Sequence, residues 1–246
     1  QLQLADPLQL LLGGRLSWAD VVTRSTATGA ATSTSAPGRQ FIPNAALLWD
    51  FAPQLTAYTS YAETFVVQRN LDAAGQLLRP RSGKQWELGL KGELRDQRLQ
   101  THAALFRILD EGRAMTDPTN TTASIAGGKV RAQGLELEAS GRLARGWDVL
   151  AGYAYTQTKY LEAAVTQQGQ TFSTTTPRHL LHLYTRYAFS APALQGLSVG
   201  AGASWRSGFY ALSGPVRLAS GHYSLFNADM GYQINAHLQL GLSIAN

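Results

Sequence analysis

The sequence predicts an all-β fold, an antiparallel up-and-down transmembrane β-barrel wall. Three observations carry that reading. Strand-like alternation of apolar and polar residues recurs along nearly the whole chain with no convincing helix between. Short and long connections strictly alternate, so in an antiparallel sheet every tight turn falls at one end and every long loop at the other. The alternating stretches reach about ten residues or more, longer than the five or six usual in soluble sheets, and no helix is available to cover their apolar face. Lipid is the remaining cover, because a strand of about ten residues tilted near 45° rises roughly 23 Å, close to the apolar band of such barrels. Closure leaves no unpaired edge in hydrocarbon.

Taken in order, QWELGLKGEL sets Trp86, Leu88 and Leu90 on one face against Glu87, Gly89, Lys91 and Glu93. After a turn at Arg95-Asp96-Gln97, the face of Leu99, Ala103 and Leu105 continues that apolar side, and Arg98 and His102 the polar one. AALFRI can slip by one residue, which leaves the register from His102 to Arg107 open. LELEASGRL opposes Leu135, Leu137, Ala139 and Leu143 to Glu136, Glu138, Ser140 and Arg142. WDVLAGYAYTQT aligns Trp147, Val149, Ala151, Tyr153 and Tyr155; LLHLYTRYAF aligns Leu181, Leu183, Tyr187 and Phe189. LSVGAGASWRS and FNADMGYQI repeat the pattern with Val199, Ala201, Ala203 and Trp205, then Phe226, Ala228, Met230 and Tyr232. Tight breaks fall at Asp6-Pro7, Ala52-Pro53, Asp96-Gln97, Arg145-Gly146, 191–196 and Asn235-Ala236. Long polar connections fall around 21–40, 65–82, 110–129, 158–177 and 207–220. Aromatic residues near strand ends, among them Trp18, Trp49, Phe51, Trp86, Trp147 and Trp205, suit interfacial girdles.

Composition agrees and closes other routes. Charged residues are 15% of the chain against a usual quarter, while 44% hydrophobic residues exclude wholesale disorder. No run of 18 apolar residues predicts a transmembrane helix. The chain has no cysteine, so disulfide frameworks, thiol chemistry and zinc ribbons are excluded. A net charge of +5 is spread over scattered residues rather than gathered on a stripe, which argues against nucleic acid. His179 and His182, three apart on a strand, point to opposite faces and cannot chelate one metal ion. Gly200-x-Gly202 lies within a strand and has no helix after it, so a phosphate loop is not expected. Glu136 and Glu138 share a face, but Lys91, Glu93 and Arg142 offer them an ordinary ion network in the barrel lumen instead of acid catalysis. No Ser/His/Asp arrangement predicts an enzyme, and the Asn120-Thr121-Thr122 triplet matches a glycosylation acceptor, which carries no weight if the protein is bacterial.

The segments LLGGRLSW, LTAYTSYAETF, PRSGKQWELGLKGELRDQRLQTHAALF, RAQGLELEASGRLARGWDVLAGYAYTQTKY and TPRHLLHLYTRYAF resemble, in series, the barrel of TonB-dependent outer-membrane siderophore receptors. The resemblance covers essentially the whole chain and keeps the family's order. It implies a barrel of about 22 strands, filled by an N-terminal plug, that imports ferric siderophores with energy delivered through TonB. About twelve strands are legible here, with neither plug nor TonB box, so residues 1–246 read as a partial barrel domain, roughly strands 9 to 20. The expected partners are a ferric siderophore, outer-membrane lipid, and TonB through the missing N-terminal region, in the bacterial outer membrane. No cofactor is expected, since the siderophore ligates the iron. Recognition of a bulky, partly aromatic, often charged complex calls for rings and guanidinium groups near the long connections: Tyr160, Phe172, Arg178, Arg206, Phe209 and Tyr210. A passive porin and a soluble β-sheet binding module are the alternatives; the second predicts shorter strands and a fixed repeat, which the chain lacks.

Overall fold

In the computed structural model, residues 1–35, 38–213 and 216–246 are described. Sixteen strands follow one another among them: β1 Leu2–Ala5, β2 Leu8–Ser17, β3 Val21–Arg24, β4 Ala31–Ser35, β5 Gln40–Ala52, β6 Leu55–Val66, β7 Arg81–Glu93, β8 Leu99–Thr116, β9 Ser124–Ala144, β10 Trp147–Glu162, β11 His179–Ala188, β12 Leu197–Arg206, β13 Phe209–Ser213, β14 Val216–Ser220, β15 Tyr223–Gln233 and β16 Gln239–Ala245. Twelve of them form one antiparallel sheet in the order β1-β2-β5-β6-β7-β8-β9-β10-β11-β12-β15-β16. The pairs β3-β4 and β13-β14 are hairpins of their own, inside two of the long connections.

The tight turns all close at one end. The Asp50 N–H donates to the Pro7 carbonyl at 2.7 Å and the Glu93 N–H to the Gln54 carbonyl at 2.9 Å, tying each of these turns to the end of the next strand in the sheet. Between β7 and β8, Arg95 and Asp96 hold φ of 54° and 55°, two successive left-handed residues of the kind that matches hairpin twist. The Asn235 side chain accepts from the N–H groups of His237 and Leu238, closing the last turn.

Strand pairing shows why the alternation runs as it does. Directly paired residues share a face, and the register sets Leu88, Leu105, Leu135 and Tyr155 side by side on one surface. Lys91, His102, Glu138, Gly152, His182 and Ser204 line up on the other. Among the described residues nothing covers the apolar side: Leu88 is 59% and Leu90 51% exposed, while buried apolar residues such as Ile42, Ala104 and Val130 lie on separate strands. The aromatic girdles sit at both margins of this band, with Trp49, Phe51, Trp147 and Tyr232 near the tight turns and Trp86 farther up, all exposed.

The register around Phe106 resolves the ambiguity in AALFRI. Leu105 and Arg107 point outward with Leu88 and Trp86, and Phe106 points inward, opposite Glu87 and Gly134. A Cβ on Gly134 would lie 2.8 Å from the Phe106 ring, so the bare backbone of β9 is what receives that ring. Leu99 departs from expectation. It belongs to the outward set by alternation but is only 8% exposed, packed beside the turn where it bridges to Leu94. The lumen ion network also differs: Lys91 lies over the Tyr58 ring at 5.0 Å, and Arg142 turns to Asp148 at 3.4 Å.

The expected long connection at 110–129 is the clearest correction. β8 runs for 18 residues and β9 for 21, so only 117–123 remain as loop. Backbone pairing from Asp110 with Val130 to Thr116 with Ser124 carries the sheet past the apolar band, with bulges around Arg113. The Asn120 side chain accepts from the Thr122 N–H and hydroxyl, and the Asp117 carboxylate accepts from the Thr119 N–H and hydroxyl. The Thr119 hydroxyl, then its N–H, hold the Asp117 carboxyl below the usual aspartate range. The 21–40 and 207–220 connections hold the β3-β4 and β13-β14 hairpins, and parts of both lie outside the described residues.

One lumen contact yields a stability prediction. The Tyr58 ring lies flat over Gly89, its hydroxyl bonded to Glu87 and, at 2.7 Å, to His102 Nε2. Gly89→Val is expected to displace the ring and cost about 1–3 kcal/mol in urea unfolding of the full receptor in micelles. An unchanged midpoint would show that the ring can swing away freely.

Candidate ligand-binding site at the long-loop end

The long connections are pinned to the barrel rim rather than loose. Gln68, 7% exposed, donates through its amide to the carbonyls of Arg79 and Gly112 and accepts from the Ala114 N–H, fastening the β6-β7 connection to β8. The Ser124 N–H donates to the Leu71 carbonyl at 2.8 Å, fixing the same connection to β9. Ion pairs strengthen the rim: Arg81 and Arg113 both reach Asp110, at 2.7 and 2.6 Å, and Lys84 and Lys129 both reach Glu111, at 3.0 and 2.7 Å.

Two cavities open between these connections. The larger, about 440 Å³, is lined on one side by Thr156 and Thr158 of β10 and by Thr171, Ser173, Thr174 and Thr176 of the connection that follows. Arg178, His179, Ser207, Phe209, Tyr210 and Arg217 are among the residues on its other sides. The Tyr210 N–H donates to the Thr174 carbonyl at 3.0 Å, and the Ser173 N–H to the Thr158 hydroxyl at 2.9 Å. The first bond docks the β13-β14 hairpin on the 163–178 connection, and the second ties that connection to β10. Arg217 lies 4.0 Å over the Tyr210 ring, and Arg206 stands 4.8 Å over Phe209 and 4.1 Å over Tyr223, with its Nε enclosed and unpartnered. The second cavity, about 340 Å³, holds Tyr160, Phe172, Arg113, Lys129 and Glu162. There Tyr160 and Phe172 meet edge to face at 5.2 Å, and Arg113 lies 4.7 Å over Phe172.

Of the six residues expected at the site, Arg178, Phe209 and Tyr210 thus line one cavity, with Arg206 stacked against it, while Tyr160 and Phe172 line its neighbour. Arg113, Arg217 and the run of threonines and serines were not expected there. Arg217 carried a signal: Gly214-Pro215 in the sequence marks a hairpin within the long connection, which sets Arg217 across from Leu212 and near Tyr210. Arg113 carried none, because its place depends on the extension of β8 beyond the band. His179 and His182 do lie on opposite faces: His179 Nδ1 meets the Tyr153 hydroxyl at 2.9 Å among outward rings, and His182 Nδ1 meets the lumenal Ser204 hydroxyl at 3.0 Å.

Over residues 1–246 the chain matches the family described as TonB dependent receptor-like, beta-barrel. The chain belongs to this family. The sheet is therefore the wall of a bacterial outer-membrane β-barrel. It is 40% identical to the ferric-pyoverdine M114 receptor of Pseudomonas sp. (strain M114), over 96% of this chain and 30% of that protein. It is 28% identical to the ferrichrome outer membrane transporter/phage receptor of Escherichia coli K12, over 98% of this chain and 32% of that one. The crystal structure of the Pseudomonas aeruginosa ferripyoverdine receptor bound to ferripyoverdine superposes with a TM-score of 0.86 at 32% identity, covering 100% of this chain and 33% of that one. The receptor segment thus spans about a third of the length of these relatives.

Proposed function

We propose that this receptor segment forms part of the wall and outer binding surface through which a ferric siderophore enters the outer membrane, with transport energised through TonB. The observation that carries the reading is the larger cavity. Arg178 and Arg217 line it with two aromatic rings and a bank of hydroxyls, Arg206 stands beside it, and no carboxylate lines it among the described residues. Guanidinium groups held over rings present flat, cationic surfaces with donors to spare, suited to a bulky complex that combines planar rings, oxygen donors and negative charge. The siderophore ligates the iron and the cavity handles its periphery. Tyr160 and Phe172 in the adjoining cavity supply a second aromatic contact. The 40% identity to a ferric-pyoverdine receptor favours a pyoverdine-type ligand.

The test is binding and uptake by the full-length receptor in a strain lacking it. Arg206→Ala and Arg178→Ala are each expected to weaken ferripyoverdine binding by about tenfold or more, the loss of a charge-assisted contact, read by quenching of intrinsic fluorescence. Radioactive iron uptake should cease in a strain without TonB. Unchanged affinity in both variants would remove the cavity from recognition, and uptake that persists without TonB would point to a passive pore.

A further inference from the structure

The outer wall carries a cationic patch that siderophore recognition does not use. Arg107 of β8, Arg131 of β9 and Lys159 of β10 share the outward face with Leu105, Leu135 and Tyr155, and stand about ten to thirteen residues along their strands from the tight turns. About ten residues suffice for a tilted strand to cross the hydrocarbon, so these cations emerge at its outer margin. The ring belt lies at that margin too: Trp86 pairs with Arg107, and Tyr155, His179 and Trp205 form a contiguous aromatic group beside it.

The charge arrangement is unfavourable as it stands. Arg131 and Lys159 are direct cross-strand partners, an opposition of like charges that weakens a sheet unless something lies between them. Arg107 pairs with Gln133, two residues along β9 from Arg131, and so is diagonal to it. Carboxylates on this face serve the row above: Glu111 takes Lys84 and Lys129, and Glu162 is opposite Lys129. Glu63 faces Lys84 and accepts from the Tyr61 hydroxyl. None of these carboxylates forms an ion pair with Arg107, Arg131 or Lys159, and Arg131 Nε is enclosed with no hydrogen-bond partner. Gln133 and Gln157, bonded to each other at 3.4 Å, add neutral donors and acceptors at the same level.

We infer that Arg107, Arg131 and Lys159 form a binding site for the phosphate of an outer-leaflet lipid headgroup. A phosphate between Arg131 and Lys159 would turn their repulsion into two charge-assisted contacts, with the acyl chains along Leu105 and Leu135 and the headgroup against the two glutamines. Guanidinium binds phosphate through two parallel hydrogen bonds, and depth in the membrane selects a lipid over a soluble anion.

The experiment uses the full-length receptor in detergent, with binding of bis-phosphorylated lipid A read by native mass spectrometry against the same lipid with its phosphates removed. The phosphorylated lipid should remain bound and the dephosphorylated one should not. The double variant R131Q/K159Q should weaken binding by roughly twenty-five-fold, about fivefold for each cation, while Lys159→Arg preserves it and Arg142→Gln, at the opposite end of β9, leaves it unchanged. Heat-modifiable migration on gels checks that each variant is folded, and the two-lipid comparison on the unaltered receptor decides the matter even if R131Q/K159Q is not. Equal binding of both lipids, wild-type binding by a folded R131Q/K159Q, or displacement of the lipid by millimolar inorganic phosphate would overturn the proposal.

Discussion

Leu183→Arg is expected to destabilise the reconstituted receptor by about 2–4 kcal/mol, whereas His182→Arg, one residue away, should change stability by no more than about 1 kcal/mol. The two side chains leave the same strand in opposite directions. Leu183 is 44% exposed, in one row with Ala151 and Ala203, and lies near the middle of the apolar band. An arginine there must hold its charge in hydrocarbon or drag water and headgroups inward, and no carboxylate shares the row. His182 lies on the lumenal face between Gly152 and Ser204, where a longer cation forfeits one hydrogen bond, to Ser204, and meets a polar surface. Urea unfolding of both variants in lipid bilayers measures the difference. If the costs were equal, or reversed, the assignment of lipid and lumen faces would be wrong for the whole sheet, because pairing links every strand to this one.

The polypeptide Gln1–Asn246 expressed alone in water is expected to give no folded monomer. Its sheet ends at β1 on one side and β16 on the other, and each leaves a row of unpaired N–H and C=O groups. Its apolar face has no partner: Leu88, Leu90, Leu105, Leu240, Leu242 and Ile244 are all more than half exposed. Both features promote association between copies, through edges and through apolar surface. The expected result is aggregated material with strand-type circular dichroism and no cooperative transition. A soluble, monomeric product with a sharp unfolding midpoint would contradict the lipid-facing reading.

These two predictions rest on different levels of information. Which face of each strand meets lipid was legible from alternation, because a period of two is a local property: Trp86, Leu88 and Leu90 needed no knowledge of the partner strand. Tight turns were legible for the same reason, since Asp6-Pro7, Arg145-Gly146 and Asn235-Ala236 carry their conformations in the residues themselves. Register was not. Phe106 faces the lumen because Gly134, 28 positions on in the chain, leaves room for its ring, and a single stretch of sequence holds no trace of that fit.

The site divides in the same way. The residue types were legible, since rings and guanidinium groups in the long connections point to recognition wherever they finally stand. Their grouping came from contacts between segments far apart in the chain: Tyr210 on Thr174, Arg113 over Phe172, Gln68 spanning Arg79 and Gly112. The sequence by itself determined an antiparallel wall, its order, its two faces and which end carries the loops, because these follow from periodicity and turn chemistry. Only the tertiary structure decided how far β8 and β9 rise above the membrane, which arginines share a cavity, and that Arg131 and Lys159 oppose each other on the outer surface. Each of those depends on which residue of one strand lies against which of the next, and cross-strand pairing is set by the whole sheet.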